Sequence, residues 1–202
     1  MRRFGGVALL LALCALAATT ALARTAPAPS ASRCGGSLWR LKTLSDTTRR
    51  LVSLDPKTTT IGSIISRAGP GTVSARRTTP FQRQTWEVVA QIVAFRLDGG
   101  DIRLLLFDDG AYMHAVMPAP ACLSKTTRNR NAILAARASF VAACGKPSLT
   151  WEPLGAVVYV GGVGFWFGDR NERGAALNGA ELHPVSSFRL LAGCSANRRV
   201  RR

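Results

Sequence analysis

The segment TWEVVAQIVAFRLDGGDIRLLLFDDGAYMHAVMP, residues 85–118, decides the fold of this chain. It contains three apolar runs rich in β-branched and aromatic residues, a composition typical of strands that are buried over much of both faces. The sequences DGGD at 98–101 and DG at 109–110 separate the runs and are typical of tight hairpin turns. We therefore predict three consecutive strands joined by hairpins, of which the third ends at Pro118.

The downstream sequence adds one helix and two further strands. Residues 129–143 place apolar side chains at three- and four-residue steps, so that one stripe of a helix faces inward. The runs AVVYVGGVGFWF (156–167) and PVSSFRLL (184–191) have the composition of a fourth and a fifth strand. Glycines at 161, 162 and 164 fall where a small closed barrel needs a sharp bend or bulge.

Three strands, a helix and two strands follow one another in the order of the OB-fold, a five-stranded Greek-key barrel. We therefore predict a mainly β protein, a small OB-like five-stranded barrel with one helix between strands 3 and 4. The alternative architecture is a small β-sandwich plus one helix.

The first 23 residues have the pattern of a secretory signal peptide. Arg2 and Arg3 precede a short apolar run, and the sequence ALA at 21–23 matches the small-x-small pattern before a cleavage site. We expect cleavage after Ala23, which would make the mature protein secreted or periplasmic. No later segment is long and uncharged enough to cross a bilayer, so we expect no stable membrane span.

The mature sequence divides by composition into four parts. In chain order these are a Pro/Ala-rich linker (24–33), an N-terminal extension (34–84), the OB-like barrel domain (85–194) and a basic tail (195–202). Within the extension we predict a short strand in GGSLWRLKTLSD (35–46). We also predict one or two helical turns that follow the threonines 58–60 and reach Ile65.

Four cysteines remain once Cys14 leaves with the signal, an even number that suits disulfide bonds in an oxidising compartment. Three pairings are open. We favour Cys122–Cys144 with Cys34–Cys194, because the first bridge would staple the ends of the helical insert and the second would tie the two chain ends together. The rival pairing is Cys34–Cys122 with Cys144–Cys194.

Two parts of the chain match a family pattern. Near the N-terminus the matching residues are Cys34-Gly35, Trp39, Lys42-Thr43-Leu44-Ser45-Asp46 and Thr59-Thr60-Ile61. In the C-terminal part, residues 162–185 follow the pattern GVGFFDxxHGQxGxAPNGIELHPV at Gly162 to Phe165, Gly174, Ala176, Asn178, Gly179 and Glu181 to Val185. On these residues the chain resembles a group of exported, mostly uncharacterised bacterial proteins with a predicted OB-like barrel.

The resemblance implies a fold and a compartment, and it brings no activity with it. The chain has Phe167 where the pattern has an Asp, and Arg170-Asn171-Glu172 where the pattern has His-Gly-Gln. If that Asp and that His serve chemistry in the relatives, this protein has lost both.

Glu181 and His183 are the residues to consider for catalysis. Two residues apart on a strand, they point to the same face, where such a pair can act as a base with its orienting group or as two metal ligands. The turn signal at Asn178 favours a structural polar pair that anchors the preceding loop. No nucleophile stands in a recognisable setting. We therefore predict no catalytic residues, no metal and no cofactor.

Ligand binding is the other candidate activity, because OB barrels stack ligands on aromatic rings over a basic groove. We expect Trp166 and Phe167 to be exposed at the mouth of a loop that also carries Arg170 and Arg173. The 27 basic against 11 acidic residues, a formal net charge of +16, favour anionic partners.

These observations predict an exported, non-enzymatic binding protein. Its partner would be an anionic polymer, either nucleic acid or acidic glycan, or another envelope protein. The alternatives are a small metal-assisted hydrolase that uses Glu181 and His183, and a structural envelope protein.

Overall fold

The computed structural model describes Cys34, residues 38–168 and residues 171–194. The predicted signal peptide, linker and basic tail lie outside these residues. In chain order the helices and strands are α1 (Trp39–Lys42), β1 (Ser53–Thr58), α2 (Ile61–Ile65), β2 (Gln84–Asp98), β3 (Asp101–Asp108), β4 (Ala111–Met117), α3 (Arg130–Cys144), β5 (Glu152–Trp166) and β6 (Ala180–Ala192). Short 3-10 turns cover Arg49–Leu51, Pro80–Arg83 and Pro120–Cys122.

Strands β2, β3 and β4 form two antiparallel hairpins, as the apolar runs and the turn sequences predict. The first hairpin closes at the pair Asp98 and Asp101. Gly99 and Gly110 have φ of +57° and +78°, a left-handed backbone conformation that glycine adopts without steric cost. The turn residues therefore help to fix the register of these strands.

The six strands form one sheet in which β2 to β6 close in a ring. The order is β1-β2-β3-β4-β6-β5, and β5 pairs back onto β2. The mainly β prediction is confirmed, whereas the predicted count of five strands is wrong, because β1 pairs in parallel with β2. The sequence of β1 is SLDPKT, and nearly every position is exposed, so it lacks the apolar alternation that reveals a strand in a sequence.

The ring is uneven in the way its strands are joined. β2 and β5 pair antiparallel over ten residue pairs. β4 and β6 meet in parallel at only two, His114 with Glu181 and Ala115 with Leu182, and we call this short junction the β4–β6 seam. Few backbone hydrogen bonds are available there, so side chains must contribute to holding the ring closed.

The glycines of β5 lie where the register between β5 and β6 shifts. The shifts fall between Gly161 and Gly162 and again between Gly162 and Gly164, as predicted from the sequence. A Cβ atom at Gly164 would collide with the backbone carbonyl of Phe81, so only glycine lets the 3-10 turn at 80–83 pack against the strand.

Helix α3 packs against β6 and completes the core, and it covers the residues for which a helix is predicted. The ring of Phe140 contacts Phe95 and Phe188 edge-on, with centroids 5.4 and 5.5 Å apart. Within the described part of the chain, no helix is long and apolar enough to cross a membrane.

Residues before the predicted barrel domain also enter the core. The predicted helical turns are present as α2, which begins at Thr60, whose hydroxyl accepts a hydrogen bond from the Ser63 amide at 3.0 Å. Ile61 and Ile64 of this helix are fully buried in the same cluster as the interior of the ring. Residues 53–65 therefore contribute both a strand and core side chains.

A second, smaller apolar cluster joins the N-terminal segment to the outer side of β5. Its buried members are Leu44, Val52, Leu123, Ile133 and Val163. The predicted strand in residues 35–46 is wrong, because Trp39–Lys42 forms a helical turn. Leu41 and Leu44, which are three residues apart, are both buried, and this spacing places them on one side of such a turn.

The disulfide pairing that we favoured is wrong, and the rival pairing is present. The bonds join Cys34 to Cys122 and Cys144 to Cys194. The 15-residue helix α3, about 22 Å long, separates Cys122 from Cys144 and brings Cys144 beside the end of β6 instead. Two disulfide bonds are consistent with a location outside the cytoplasm.

Candidate functional site

The loop between β5 and β6 lies against the outer side of β3 and β4. Leu104 and Met113 of these strands belong to the core, so the alternate residues Arg103 and His114 point outward. Both are nevertheless buried, with 6% and 2% of their surfaces exposed. Their position beneath the loop is shown by the bond between the His114 ring and the Arg173 carbonyl at 2.9 Å.

Gly174 allows the loop to approach the sheet this closely. It has a φ of +72°, and a Cβ atom there would collide with the side chain of Leu105 on β3. Both its conformation and its contact therefore require glycine. The loop ends at Asn178, whose amide donates to the carbonyls of Ile64 and Arg67 and whose side-chain oxygen accepts from the Ala180 amide.

A pocket opens beside this loop on the same side of the sheet. Its volume is about 260 Å³, and it is lined by Val93, Leu105, Tyr112, Arg173 and Gly174. Tyr112 is 44% exposed and packs beside Phe107, with ring centroids 4.9 Å apart. Arg173 is exposed and makes no ion pair with the residues that the structure describes. The pocket thus combines an apolar floor with an aromatic ring and a cation.

Trp166 lies on the opposite side of the sheet, and its predicted exposure at a binding surface is wrong. It is 2% exposed, its ring packs on Phe81 with centroids 4.6 Å apart, and its indole N–H donates to the Thr79 hydroxyl at 2.9 Å. β5 continues through Trp166, which pairs with Ala180, so strand alternation turns its side chain into the ring.

Phe167 and the two arginines of the predicted binding loop have different surroundings. Phe167 is partly exposed and lies between two cations, with Lys42 Nζ at 4.9 Å and Arg103 Cζ at 5.4 Å from the ring centroid. Arg170 lies outside the described residues. Of the predicted binding residues that the structure describes, Arg173 is the one that lines the pocket.

Glu181 and His183 do lie side by side on β6, as their spacing predicts, and each is 1% exposed. His183 Nδ1 is 3.1 Å from Glu181 Oε1, and no hydrogen-bond partner for His183 Nε2 lies among the described residues. Lys42 lies on the same side of the sheet, with its Nζ 5.4 Å from the centroid of Phe165. The N-terminal segment that carries Lys42 and the strand β6 therefore meet in space.

Glu181 is held in its ionised form. Burial favours the neutral acid, but the hydrogen bond and the positive charge of His183, and then the charges of Arg103 and Lys42, outweigh it and lower the pKa of Glu181 to about 2. Burial also lowers the pKa of His183, although Glu181 opposes the shift. In either protonation state of His183, its Nδ1–H can donate to the ionised Glu181.

Glu172, from the loop, is the centre of a cluster of charged groups at the β4–β6 seam. Its Oε1 accepts a hydrogen bond from Arg96 Nη2 at 2.7 Å, and its Oε2 is 3.1 Å from Arg103 Nη1. Asp98 Oδ2 also contacts both guanidinium groups, at 3.5 Å from Arg96 Nη2 and 3.3 Å from Arg103 Nε. Arg103 also reaches Glu181 at 3.5 Å and so links the loop to β6.

His114 completes this cluster as a neutral ring. Its Nε2–H donates to the Arg173 carbonyl, which leaves Nδ1 to accept from Arg103 Nη1 at 3.2 Å. Burial and then the charge of Arg103 lower the pKa of His114, while Glu172 and Glu181 oppose the shift. The indole of Trp151 stacks on the imidazole, with centroids 6.0 Å apart and planes inclined by 20°.

This cluster was not predicted from the sequence, although one signal for it is present there. An arginine inside the apolar run IRLLLFD of β3 must find partners when the strand is buried. The sequence does not show which acids those partners are, because Glu172 reaches Arg103 only through the path of the loop. A second buried pair was missed for the same reason: Arg77 Nη2 lies 2.9 Å from Asp46 Oδ2 and also donates to the Leu41 carbonyl.

The described residues contain no group of three or more His, Cys, Asp or Glu side chains placed to hold a metal ion.

No protein-family model matches this chain, and no curated protein matches it. Nine chains of solved structure are similar to it. One is a crystal structure from Leishmania major Friedlin, provisionally assigned as an aspartyl-tRNA synthetase, with 14% sequence identity and a TM-score of 0.42. The similarity covers 72% of this chain and 22% of that one, and we draw no argument from it.

Proposed function

We propose that this chain is an exported, non-enzymatic binding protein that holds an anionic polymer on the outer side of β2 to β4. The observation that carries the proposal is the pocket of about 260 Å³ between exposed Tyr112 and exposed Arg173. An aromatic ring and a cation beside an apolar floor suit a polymer that offers both flat rings and negative charge.

The strand order supports an OB-like fold as the frame of this site. Within the ring the order β2-β3-β4-β6-β5, with α3 between the third and the fourth strand, is the order of an OB barrel. In that fold ligands bind over the second and third strands and beside the loop between the fourth and fifth. Here these elements are β3, β4 and the loop that carries Arg173.

The charges around the pocket also support an anionic partner. Arg96 and Arg103, which lie nearby, are already paired with acids of this chain, whereas Arg173 has no such partner among the described residues. The formal net charge of +16, which becomes +14 once Arg2 and Arg3 leave with the signal peptide, would attract a polyanion from a distance and make the binding sensitive to salt.

Export is part of the proposal. The signal-like residues 1–23, with cleavage after Ala23, and the two disulfide bonds support a secreted or periplasmic protein. The resemblance to exported bacterial proteins supports the same compartment. N-terminal sequencing of the protein recovered outside the cytoplasm tests it, and an N-terminus at Met1 would contradict it.

Binding is tested with the full chain in its oxidised form against single-stranded DNA, RNA and a sulfated glycan at low salt. We expect salt-dependent binding to at least one, and the polymer that binds identifies the class of partner. Tyr112→Ala and Arg173→Ala should each weaken that binding by about tenfold. Arg50→Ala removes an exposed arginine elsewhere and serves as the matched control. No binding to any of the three polymers at low salt would overturn the proposal.

A further inference from the structure

We propose that the guanidinium groups of Arg96 and Arg103 form a site for a phosphate or sulfate group beside the neutral ring of His114, and that the chain's own Glu172 carboxylate fills this site in this structure. A ligand anion would occupy the site when Glu172 moves away with its loop. The inference deepens the proposed function and rests on it, because the group would belong to the same anionic polymer that reaches the pocket at Arg173.

The geometry around Glu172 is that of a bound anion. Each carboxylate oxygen faces a different guanidinium group, Oε1 at 2.7 Å from Arg96 and Oε2 at 3.1 Å from Arg103. The second oxygen is also 3.9 Å from His114 Nδ1. Two converging guanidinium groups are the usual partners of phosphate and sulfate oxygens as well as of carboxylates.

The basic groups of the site belong to the sheet, whereas the acid that fills it belongs to the loop. Arg96, Arg103 and His114 lie on the adjacent strands β2, β3 and β4, and Arg96 is directly opposite Arg103 in the register. The ring of Trp151 supports both ends of the site, since it lies 4.9 Å from the Arg96 guanidinium and stacks on His114. The cations would therefore stay in place if the loop moved.

After Glu172 leaves the site, the charges that remain there would attract an anion. With Glu172 present, the cations Arg96, Arg103 and Lys42 face the three acids Asp98, Glu172 and Glu181. Without Glu172 the cations exceed the acids by one, at guanidinium groups whose side chains are 28% (Arg96) and 7% (Arg103) exposed. Such a site favours an anion more strongly than an exposed arginine does.

Glu172 is also the member of the cluster that can leave. Its side chain is 16% exposed, and its neighbours Asn171 and Arg173 are exposed. The loop also contacts the site through the Arg173 carbonyl, which accepts a hydrogen bond from the His114 Nε2–H at 2.9 Å. Displacement would break contacts that the incoming anion can replace at Arg96 and Arg103.

Glu172→Gln tests the inference, because it removes the charge and keeps the shape. The full oxidised chain is titrated with inorganic phosphate and, separately, with sulfate, which distinguishes the two oxyanions. We expect Glu172→Gln to bind one or both about tenfold more tightly than the wild type. Glu87→Gln, on the first half of β2, makes the same change in net charge away from the cluster and should behave as the wild type. Equal affinities for Glu172→Gln and Glu87→Gln would overturn the inference.

A double variant and a spectroscopic signature locate the bound anion. Adding Arg96→Gln to Glu172→Gln should abolish the gain, and a gain that persists would place the anion elsewhere and overturn the inference. The chain has only two histidines, so the Hε1 ring protons give two NMR signals, one for each histidine. Phosphate should shift the signal of His114 in Glu172→Gln and leave that of His183 in place, and an unmoved His114 signal would contradict the site.

The outcomes separate this inference from the proposed function. If no polymer binds the wild type but phosphate binds Glu172→Gln at His114, the oxyanion site stands and the proposed polymer ligand does not. If a polymer binds the wild type but Glu172→Gln binds phosphate and sulfate no more tightly than the wild type does, the proposed polymer ligand stands and the oxyanion site does not. Should Glu172→Gln unfold, as checked by its thermal transition, Glu172→Ala provides the same charge change with a smaller side chain at this loop position.

Discussion

The ring is closed by different means in two regions. One is the long pairing of β2 with β5, which we call the wall, and the other is the β4–β6 seam. The wall has ten backbone-paired residues on each strand, and its inward side chains, such as Ile92 and Val160, are fully buried and apolar. The seam has two paired residues on each strand and a cluster of charged side chains in which Arg103 links Glu172 of the loop to Glu181 of β6. Where the backbone ladder is short, ion pairs and hydrogen bonds between side chains connect the strands.

This difference has a consequence for function. Packing between apolar side chains changes little with pH or salt, whereas a charge cluster responds to both. The β4–β6 seam is therefore the part of the ring that responds most to pH and salt. Its charge cluster connects it to the loop that borders the proposed ligand pocket. If the seam were closed by apolar packing alone, as the wall is, pH and salt would have little effect on the loop.

The largest expected effect is from Glu181→Ala at the seam. The substitution leaves Arg103 and His183 buried with fewer partners, and we expect a loss of about 3 to 5 kcal/mol in the free energy of unfolding, measured with urea. Glu87→Ala, an acid on the wall without this burial, should change it by less than about 0.5 kcal/mol. Similar small effects for both variants would mean that the seam does not depend on its charges.

Acid should weaken the seam before it affects the wall. The pKa of Glu181 is about 2 in the folded protein against an ordinary value of 4.5, so the folded state binds fewer protons between these values. The stabilisation is complete above about pH 4.5 and is lost as the pH falls toward 2, by about 3 kcal/mol in all. Unfolding measured with urea across this range should show the loss in the wild type. The same loss in Glu181→Gln would contradict the assignment.

Histidine protonation should add a smaller loss of the same sign at higher pH. The pKa values of His114 and His183 are both lowered by burial, so each ring resists protonation in the folded protein. Their contributions are complete above the ordinary value of about 6.5 and are lost as the pH falls below it. His114→Gln should flatten the stability curve between about pH 7 and 5, and an unchanged curve would exclude His114 as a source of the loss.

Gly174→Ala should detach the loop from the sheet at a moderate cost. The positive φ and the collision with Leu105 oppose any side chain at this position, and we expect a loss of about 2 kcal/mol. Gly99→Ala is the matched control, because it also has positive φ but no atom within 4 Å of the added Cβ. Thermal unfolding of the two variants measures the loss of stability in each. A larger loss in Gly99→Ala than in Gly174→Ala would show that the contact with Leu105 does not require glycine at position 174.

The smallest effect is expected on the wall. Ile92→Val removes one buried methylene from well-packed apolar surroundings and should cost about 1 kcal/mol, with no dependence on pH between 4.5 and 2 beyond that of the wild type. A pH-dependent cost, measured by urea unfolding at both ends of that range, would erase the distinction between the two regions.

The sequence was sufficient for the wall and insufficient for the seam. Apolar runs, the turn sequence DGGD and the three-to-four spacing in α3 are local signals, so strands β2 to β6 and the helix could be predicted from them. β1 was missed because it is exposed and contains Pro56. The disulfide pairing depends on where α3 places Cys144, which only the packed chain determines.

The candidate site was predictable in its parts and not in its assembly. The spacing of Glu181 and His183 predicts their contact, and Arg173 was among the predicted binding residues. The predicted fourth strand included Trp166, but the direction of its side chain depends on the register shifts between β5 and β6, which no local pattern shows. The contacts of Glu172 with Arg96 and Arg103 join residues 76 and 69 positions apart, and no local pattern encodes them.

The salt dependence of polymer binding tests the central proposal most directly. For the wild type, the logarithm of the association constant should fall linearly with the logarithm of salt concentration. In Arg173→Ala the slope should be smaller by about one, because one contact to a negative group is lost. Arg50→Ala should keep the slope of the wild type. An equal slope in Arg173→Ala and the wild type, or binding that does not depend on salt, would contradict an anionic ligand at this pocket.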